Sequence, residues 1–190
     1  LDTIDRCRLG ETSRIVMVEA APVDKKDIKW IQGDGGPLVV LQRNAAARWQ
    51  GAANFDKSLM QGGNVETDYD AICRCNDGIN VIKRYQRDML VLSDSEWAAC
   101  FVSADMGEVA VIQWFGSDSS LDEMVRHLTA APPSAKLHFT MVDTALRLLV
   151  GADDGKSATY GFCEINVEPG EKVCEVYYSK EAQLAVLRPR

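Results

Sequence analysis

Two histidines, six cysteines and a carboxylate group at Glu66, Asp68 and Asp70 are the residues with which this chain could do acid–base, nucleophilic or metal chemistry. A general base needs a nucleophile or proton donor within hydrogen-bond reach, and neither His127 nor His138 stands beside a Cys or Asp motif that would supply one. His127 falls opposite the apolar stripe of a predicted helix and His138 opens a predicted strand, placements that fit ordinary structural roles. Cys73-Arg74-Cys75 has a single intervening residue, too short for a zinc knuckle, and no second Cys or His pair follows at finger spacing. The Gly33 to Pro37 run lacks the Lys-Ser/Thr of a phosphate loop, and Pro37 has no backbone N–H to offer a phosphate. Asp68 and Asp70, at the head of a predicted helix, suit the helix dipole better than an acid–base pair and rank as secondary candidates. Cys100 would serve as a nucleophile only inside a pocket. The motifs therefore assign no catalytic residue, no metal site and no cofactor.

Charge is the stronger signal. From Asp88 to Val125 the chain carries eight carboxylates (Asp88, Asp94, Glu96, Asp105, Glu108, Asp118, Asp122, Glu123) and no Lys or Arg, more than the net charge of -7 for the whole chain. Apolar residues such as Leu90, Leu92, Phe101, Val111, Ile112 and Trp114 lie between them, so the acids belong to folded structure and not to a disordered tail. Such a surface repels nucleic acid and anionic membrane, and speeds encounter with a basic protein at low salt. Asp94, Glu96, Asp105, Glu108, Asp118, Asp122 and Glu123 are accordingly the candidate contact residues. Trp97, set among them, is a candidate anchor, because Trp is enriched at binding hot spots. The plainer alternative is a solubilising surface with no partner.

These residues must be positioned by short elements. Ile28 to Ile31 and Leu38 to Leu41 are β-rich runs around Gly33 to Pro37 and predict an opening hairpin. Asn44 predicts the cap of a short helix stopping at Gly51, residues 52–64 read as a loop, and Asp68 to Cys75 as a second short helix. Gly78 to Ser93 predicts a hairpin turning at Arg84 to Arg87. Residues 97–102 and 108–115 predict another, apolar enough to be buried on both faces. Leu121, Met124, Val125 and Leu128 repeat at helical spacing behind a Ser120/Glu123 capping box, and Pro132-Pro133 ends that helix. Residues 137–142, 145–150, 160–167, 172–178 and 182–187 then read as strands. Strands do not alternate regularly with helices, so the expected class is α+β, with mostly antiparallel sheets built from hairpins, a few short helices and a strand-rich C-terminal section.

Length and composition suit one globular domain over residues 28–190, with a lobe break near 132–133 across which the core is shared, because some 55 residues alone make a marginal domain. Residues 1–27 are expected to be loosely structured. The chain begins at Leu1, Met17 would make a natural start, and residues 1–16 read as an upstream addition. No apolar run approaches the roughly 18 residues of a membrane span, and the N-terminal stretch lacks the apolar block of an export signal. The cysteines, mostly in apolar surroundings, favour reduced thiols in the cytoplasm, although Cys163 and Cys174 flank a predicted hairpin across which a disulfide is the alternative.

Trp30-Ile31-Gln32-Gly33-Asp34-Gly35-Gly36-Pro37-Leu38, Trp49-Gln50-Gly51, Asp68-Tyr69-Asp70-Ala71-Ile72-Cys73 and Met89-Leu90-Val91-Leu92-Ser93-Asp94 together resemble, in order and approximate spacing, the immunity protein 21 family of bacterial polymorphic toxin systems. Residues 139–142, 145–149, 168–170 and 187–188 look like the strand-rich end of the same or related families. The turn from Arg84 to Arg87 is more basic than that pattern, and residues 96–99 follow it loosely. The resemblance implies a cytoplasmic, non-catalytic protein that binds a cognate toxin effector domain and blocks it. A basic nuclease is the expected toxin, its cleft or an exosite taking the carboxylates as phosphate mimics, with neither nucleic acid nor membrane as partner. A small hydrolytic or ligand-binding enzyme and a scaffolding subunit are the alternatives.

Overall fold

The computed structural model describes residues 28–32, 36–52, 66–93, 98–103, 108–114, 120–156, 158 and 161–190. Ten strands form two five-stranded antiparallel sheets: β1 Leu38–Gln42, β2 Ile79–Arg84, β3 Arg87–Leu92, β7 Ala145–Val150 and β8 Phe162–Asn166 in the order β2-β3-β1-β7-β8, and β4 Ala98–Ser103, β5 Val109–Trp114, β6 Ala135–Met141, β9 Gly170–Tyr178 and β10 Ala182–Pro189 in the order β4-β5-β10-β9-β6. Among the described residues three short helices, α1 Arg43–Ala46, α2 Asp68–Cys73 and α3 Leu121–Thr129, accompany them. The expected α+β class with mostly antiparallel sheets is what is observed.

Alternation along each strand explains the layering. Leu38, Val40, Leu90, Leu92, Leu146 and Leu148 of the first sheet meet Val109, Val111, Phe139, Val176, Ala185 and Leu187 of the second in a shared inner core. The intervening residues bury the outer faces. Val39, Leu41, Met89, Val91 and Leu149 pack under Ala46, Trp49 and Ile72, on and beside α1 and α2. Cys100, Ala110, Ile112, Leu184 and Val186 pack under Leu121, Met124 and Leu128 of α3. Strands buried on both faces read as unbroken apolar runs, which is why β1 and β5 show little polar alternation. Each of the three α3 side chains contributes about 2 kcal/mol of burial. The Ser120/Glu123 capping box starts this helix as its sequence predicts.

The opening hairpin is not formed. β1 pairs with β3 on one side and β7 on the other, while Ile31 forms an isolated bridge to Ala99 of β4. The physical reason is burial: all five residues of β1 are buried, so this strand needs neighbours on both edges, whereas exposed Lys29 and Trp30 suit a segment along a sheet edge. That segment also meets the first sheet, with Lys29 Nζ donating to Phe162 O at 2.6 Å and the Cys163 thiol to Lys29 O at 3.0 Å. Cys163 and Cys174 do not flank a hairpin either. β8 and β9 belong to different sheets, and both cysteines are free thiols. The expected cap at Asn44 moves to Gln42, whose side chain makes no cap bond. Asp143 serves the α1 N-terminus instead, accepting Asn44 N–H at 2.7 Å. Residues 1–27, 33–35 and 53–65, including the expected N-terminal segment and most of the expected loop, lie outside the described residues.

One buried side chain joins the sheets. Gln42, at the end of β1 and pointing inward, donates from Nε2 to Asp88 O at 3.0 Å and to Thr140 O at 2.8 Å, and accepts at Oε1 from Val142 N–H at 2.8 Å and Asp143 N–H at 3.1 Å. Asp88 adds a bond from Thr140 N–H, at 2.8 Å. Side chains of the first sheet thus take the backbone groups of β6, an edge strand of the second, where another strand would otherwise pair. Strands on both sides of Pro132-Pro133 enter each sheet. Replacing Gln42 by Leu preserves bulk but orphans a carbonyl and an N–H that are buried and another of each that is part-buried, so Gln42→Leu is expected to cost about 3 kcal/mol in urea unfolding, and a loss under 1 kcal/mol would show that water replaces these bonds.

Candidate functional site

Of the acidic contact candidates, Glu108, Asp122 and Glu123 fall within the described residues. Ala98 pairs with Trp114 at one end of the β4–β5 hairpin and Ser103 with Val109 at the other, so Glu108 sits at the end opposite Trp114 and the α3 side of the chain. Glu108 is engaged internally. It pairs with Arg188, which also donates to Glu175 at 2.8 Å, and Glu175 meets Lys136 at 2.7 Å. Alternating charges therefore cross the second sheet from β6 to the start of β5, neutralising one another. Asp88, only 6% exposed, holds Thr140 and stands 3.6 Å from Lys83. At the head of α3, Asp122 and Glu123 are exposed; Glu123 closes the capping box, and Asp122 favours the helix dipole. Asp94, Glu96, Trp97, Asp105 and Asp118 lie outside the described residues.

The carboxylates considered for acid–base work are held as acceptors. Asp70 bonds Thr67 at both its N–H and its hydroxyl, and these bonds lower its pKa. Asp68, 5% exposed, takes Arg84 at 2.8 Å, the Tyr85 hydroxyl at 2.5 Å and Gln50 N–H at 2.9 Å. Burial and the Asp68 carboxylate push the Tyr85 hydroxyl up to about 12, so it remains a donor at neutral pH. The unusually basic turn is explained the same way: Lys83, Arg84 and Arg87 face Asp88, Asp68 and Asp143 respectively. Arg84 and Arg74 share Glu66 as well. The pairings of Arg84 with Asp68 and of Arg87 with Asp143 bridge elements that local sequence patterns do not connect. Only the excess of basic residues at this turn hinted at them.

Neither histidine joins a catalytic arrangement: His127 is exposed on α3, and His138 pairs with Glu171 at 2.8 Å on the sheet surface. Among the described residues no group of three or more His, Cys, Asp or Glu side chains is placed to hold a metal. Cys100 is fully buried, and burial pushes its thiol up to about 12, as it does that of Cys174. Cys73 is exposed. Trp114 packs against Trp30 with ring centroids 5.9 Å apart, and its buried indole N–H has no hydrogen-bond partner among the described residues. Trp30 is the partly exposed member of this pair, at 37%.

The thiolate is the nucleophile. Alkylation of the folded protein at pH 8, followed by peptide mapping, should therefore label Cys73 well before Cys100 and Cys174; equal labelling would show that the core opens readily. Lys136 foremost, then Tyr177 and Arg188, lowers the Glu175 pKa from its ordinary 4.5. Its stabilisation is thus present above that value and lost as pH falls through the folded-state pKa. Glu175→Gln should accordingly flatten the acid limb of a stability–pH profile below about 4.5, and an unchanged limb would remove the ladder from the acid response.

Comparison with known proteins adds one match. The family model for immunity protein 21 covers residues 29–171, well over half of the chain, spanning most of both sheets and all three described helices. No curated protein and no solved structure matches.

Proposed function

The chain belongs to the immunity protein 21 family, and we propose that it acts in the cytoplasm by binding a cognate toxin effector domain, a basic nuclease, and occluding it without catalysis. Family membership is the observation that carries this reading. The geometry supports it, because the described carboxylates that could serve acid–base chemistry are engaged with Arg, Tyr and backbone donors, while Asp122 and Glu123 remain at the surface. No helix is long and apolar enough to cross a membrane among the described residues.

In the proposed complex, Asp94, Glu96, Asp118, Asp122 and Glu123 steer a basic toxin surface by standing in for phosphates. Trp97 anchors the contact. Glu108, at the other end of the hairpin and restrained by Arg188, adds to the field, as does Asp105. A stable contact of this kind buries roughly 1,200 to 2,000 Å² in total. Long-range steering acts on the association rate and is screened by salt. Asp68 and Asp70 are secondary contacts at most, given the internal bonds they make.

Co-expression with the toxin-like domain encoded beside this protein should restore growth and give a complex that co-purifies. Within that complex, the combined variant Asp94→Asn, Glu96→Gln, Asp118→Asn, Asp122→Asn should associate about tenfold more slowly at low salt with little change in dissociation. Failure to restore growth against any neighbouring toxin candidate would contradict neutralisation. Rescue with unchanged association kinetics would contradict the acidic surface alone.

A further inference from the structure

On the outer side of the first sheet, away from α3, a cleft of about 530 Å³ opens between the segment after α1, the β2–β3 turn and the loop after β7. We propose that it binds a small molecule bearing a phosphate group, held between the Arg48 guanidinium and the Lys156 ammonium. The volume lies in the range of small-molecule sites. Its charge is anomalous for so acidic a chain. Elsewhere on the first sheet and at its strand ends, Arg43 and Arg147 pair with Glu164, Arg84 with Asp68 and Arg87 with Asp143, whereas Arg48 and Lys156 in the lining make no ion pair among the described residues. Asp154, also in the lining, accepts the backbone N–H of Lys156 at 2.8 Å.

The site is held in shape before any ligand arrives. Tyr85 and Gln86 form the β2–β3 turn with φ of 52° and 61°, a left-handed pair for which Asn-Gly is the usual choice. Two non-glycine residues there carry strain, and such strain persists only where surrounding contacts impose it. Asp68 anchors the Tyr85 hydroxyl, and the Arg48 guanidinium lies 4.5 Å from the ring centroid. Stacking fixes the plane of the guanidinium while leaving its edge N–H groups able to donate. The loop that carries Lys156 is tied to the same wall: Gly155 N–H donates to Trp49 O and the Trp49 indole N–H to Gly151 O, both at 3.0 Å. A Cβ on Gly155 would come within 2.1 Å of Ala46 O, so glycine permits this approach.

Arg and Lys arriving from two segments suit a phosphate monoester, which carries a charge of about −1.5 to −2 and three acceptor oxygens, better than a single carboxylate. The proposal is independent of toxin binding, because it concerns the opposite face of the sandwich and a ligand of opposite sign to a basic protein. Two-dimensional 1H–15N NMR with inorganic phosphate and then pyrophosphate, at low and fixed ionic strength, tests it. Saturable shifts confined to residues 47–50, 85–86 and 154–156 are expected. Arg48→Gln and Lys156→Gln should each weaken binding about tenfold, and Arg126→Gln, removing an exposed cation on α3, should leave it unchanged. Melting curves will show that these surface variants remain folded. Scattered non-saturating shifts, or affinity unchanged in Lys156→Gln, would overturn the site. Preference for a glutamate-rich peptide over both phosphates would overturn the ligand class.

Discussion

The four hydrogen bonds of the Gln42 amide are the constraint on which the two-sheet arrangement depends. Apolar packing drives the sheets together but is non-directional, and it would tolerate a range of offsets between two broad faces of Val and Leu. Gln42 removes that freedom. Its two donors and two acceptor sites are matched to backbone groups of β3, β6 and the turn beyond β6, so a displaced sheet leaves buried polar groups unpaired. Asp88 and Asp143 extend the same junction, one to Thr140 and the other to the start of α1. At the opposite edge the segment carrying Lys29 and Ile31 touches β4 and β8 together, closing the sandwich there.

Burial of both faces of both sheets determines where function can reside. The strand side chains fill an inner core and two outer ones, so the strand interiors have little room for a site. Chemistry-bearing groups are left to turns, helix heads and strand ends. Charges crossing the second sheet from Lys136 to Glu108 balance one another, the first turn of α3 presents Asp122 and Glu123 with Arg126 a turn further on, and the far side of the first sheet presents Arg48 and Lys156 beside Asp154. A folded binding protein needs no more than such surfaces, and its specificity comes from which charges remain uncompensated.

Legibility in the sequence followed the range of the interactions involved. α3 was readable because apolar spacing, capping box and terminating prolines all lie within one short segment. The β2–β3 and β4–β5 hairpins were readable for the same reason. The neighbours of β1 were not, because Leu38 to Leu41 specify a buried strand without naming its partners, which lie about 50 and 110 positions away. Gln42 gave no local sign of its role, since its bonds reach Thr140 and Val142 across the chain. Asp68 and Asp70 are near-identical in sequence context, yet one caps a helix and the other anchors Tyr85 and Arg84; only tertiary placement separates them. The Tyr85-Gln86 turn breaks the local preference for Asn-Gly, and the explanation lies in Asp68 and Arg48.

If the proposed contact with a basic toxin runs through the head of α3 and the acids between residues 94 and 118, a map of contact on the whole protein will show it. Hydrogen–deuterium exchange of the chain with and without its cognate toxin domain would supply that map. Slowed exchange is expected at the head of α3 and in the segments on either side of β4 and β5, with the Arg48–Lys156 cleft unchanged. Slowed exchange confined to the β2–β3 turn and that cleft, with α3 unaffected, would contradict it.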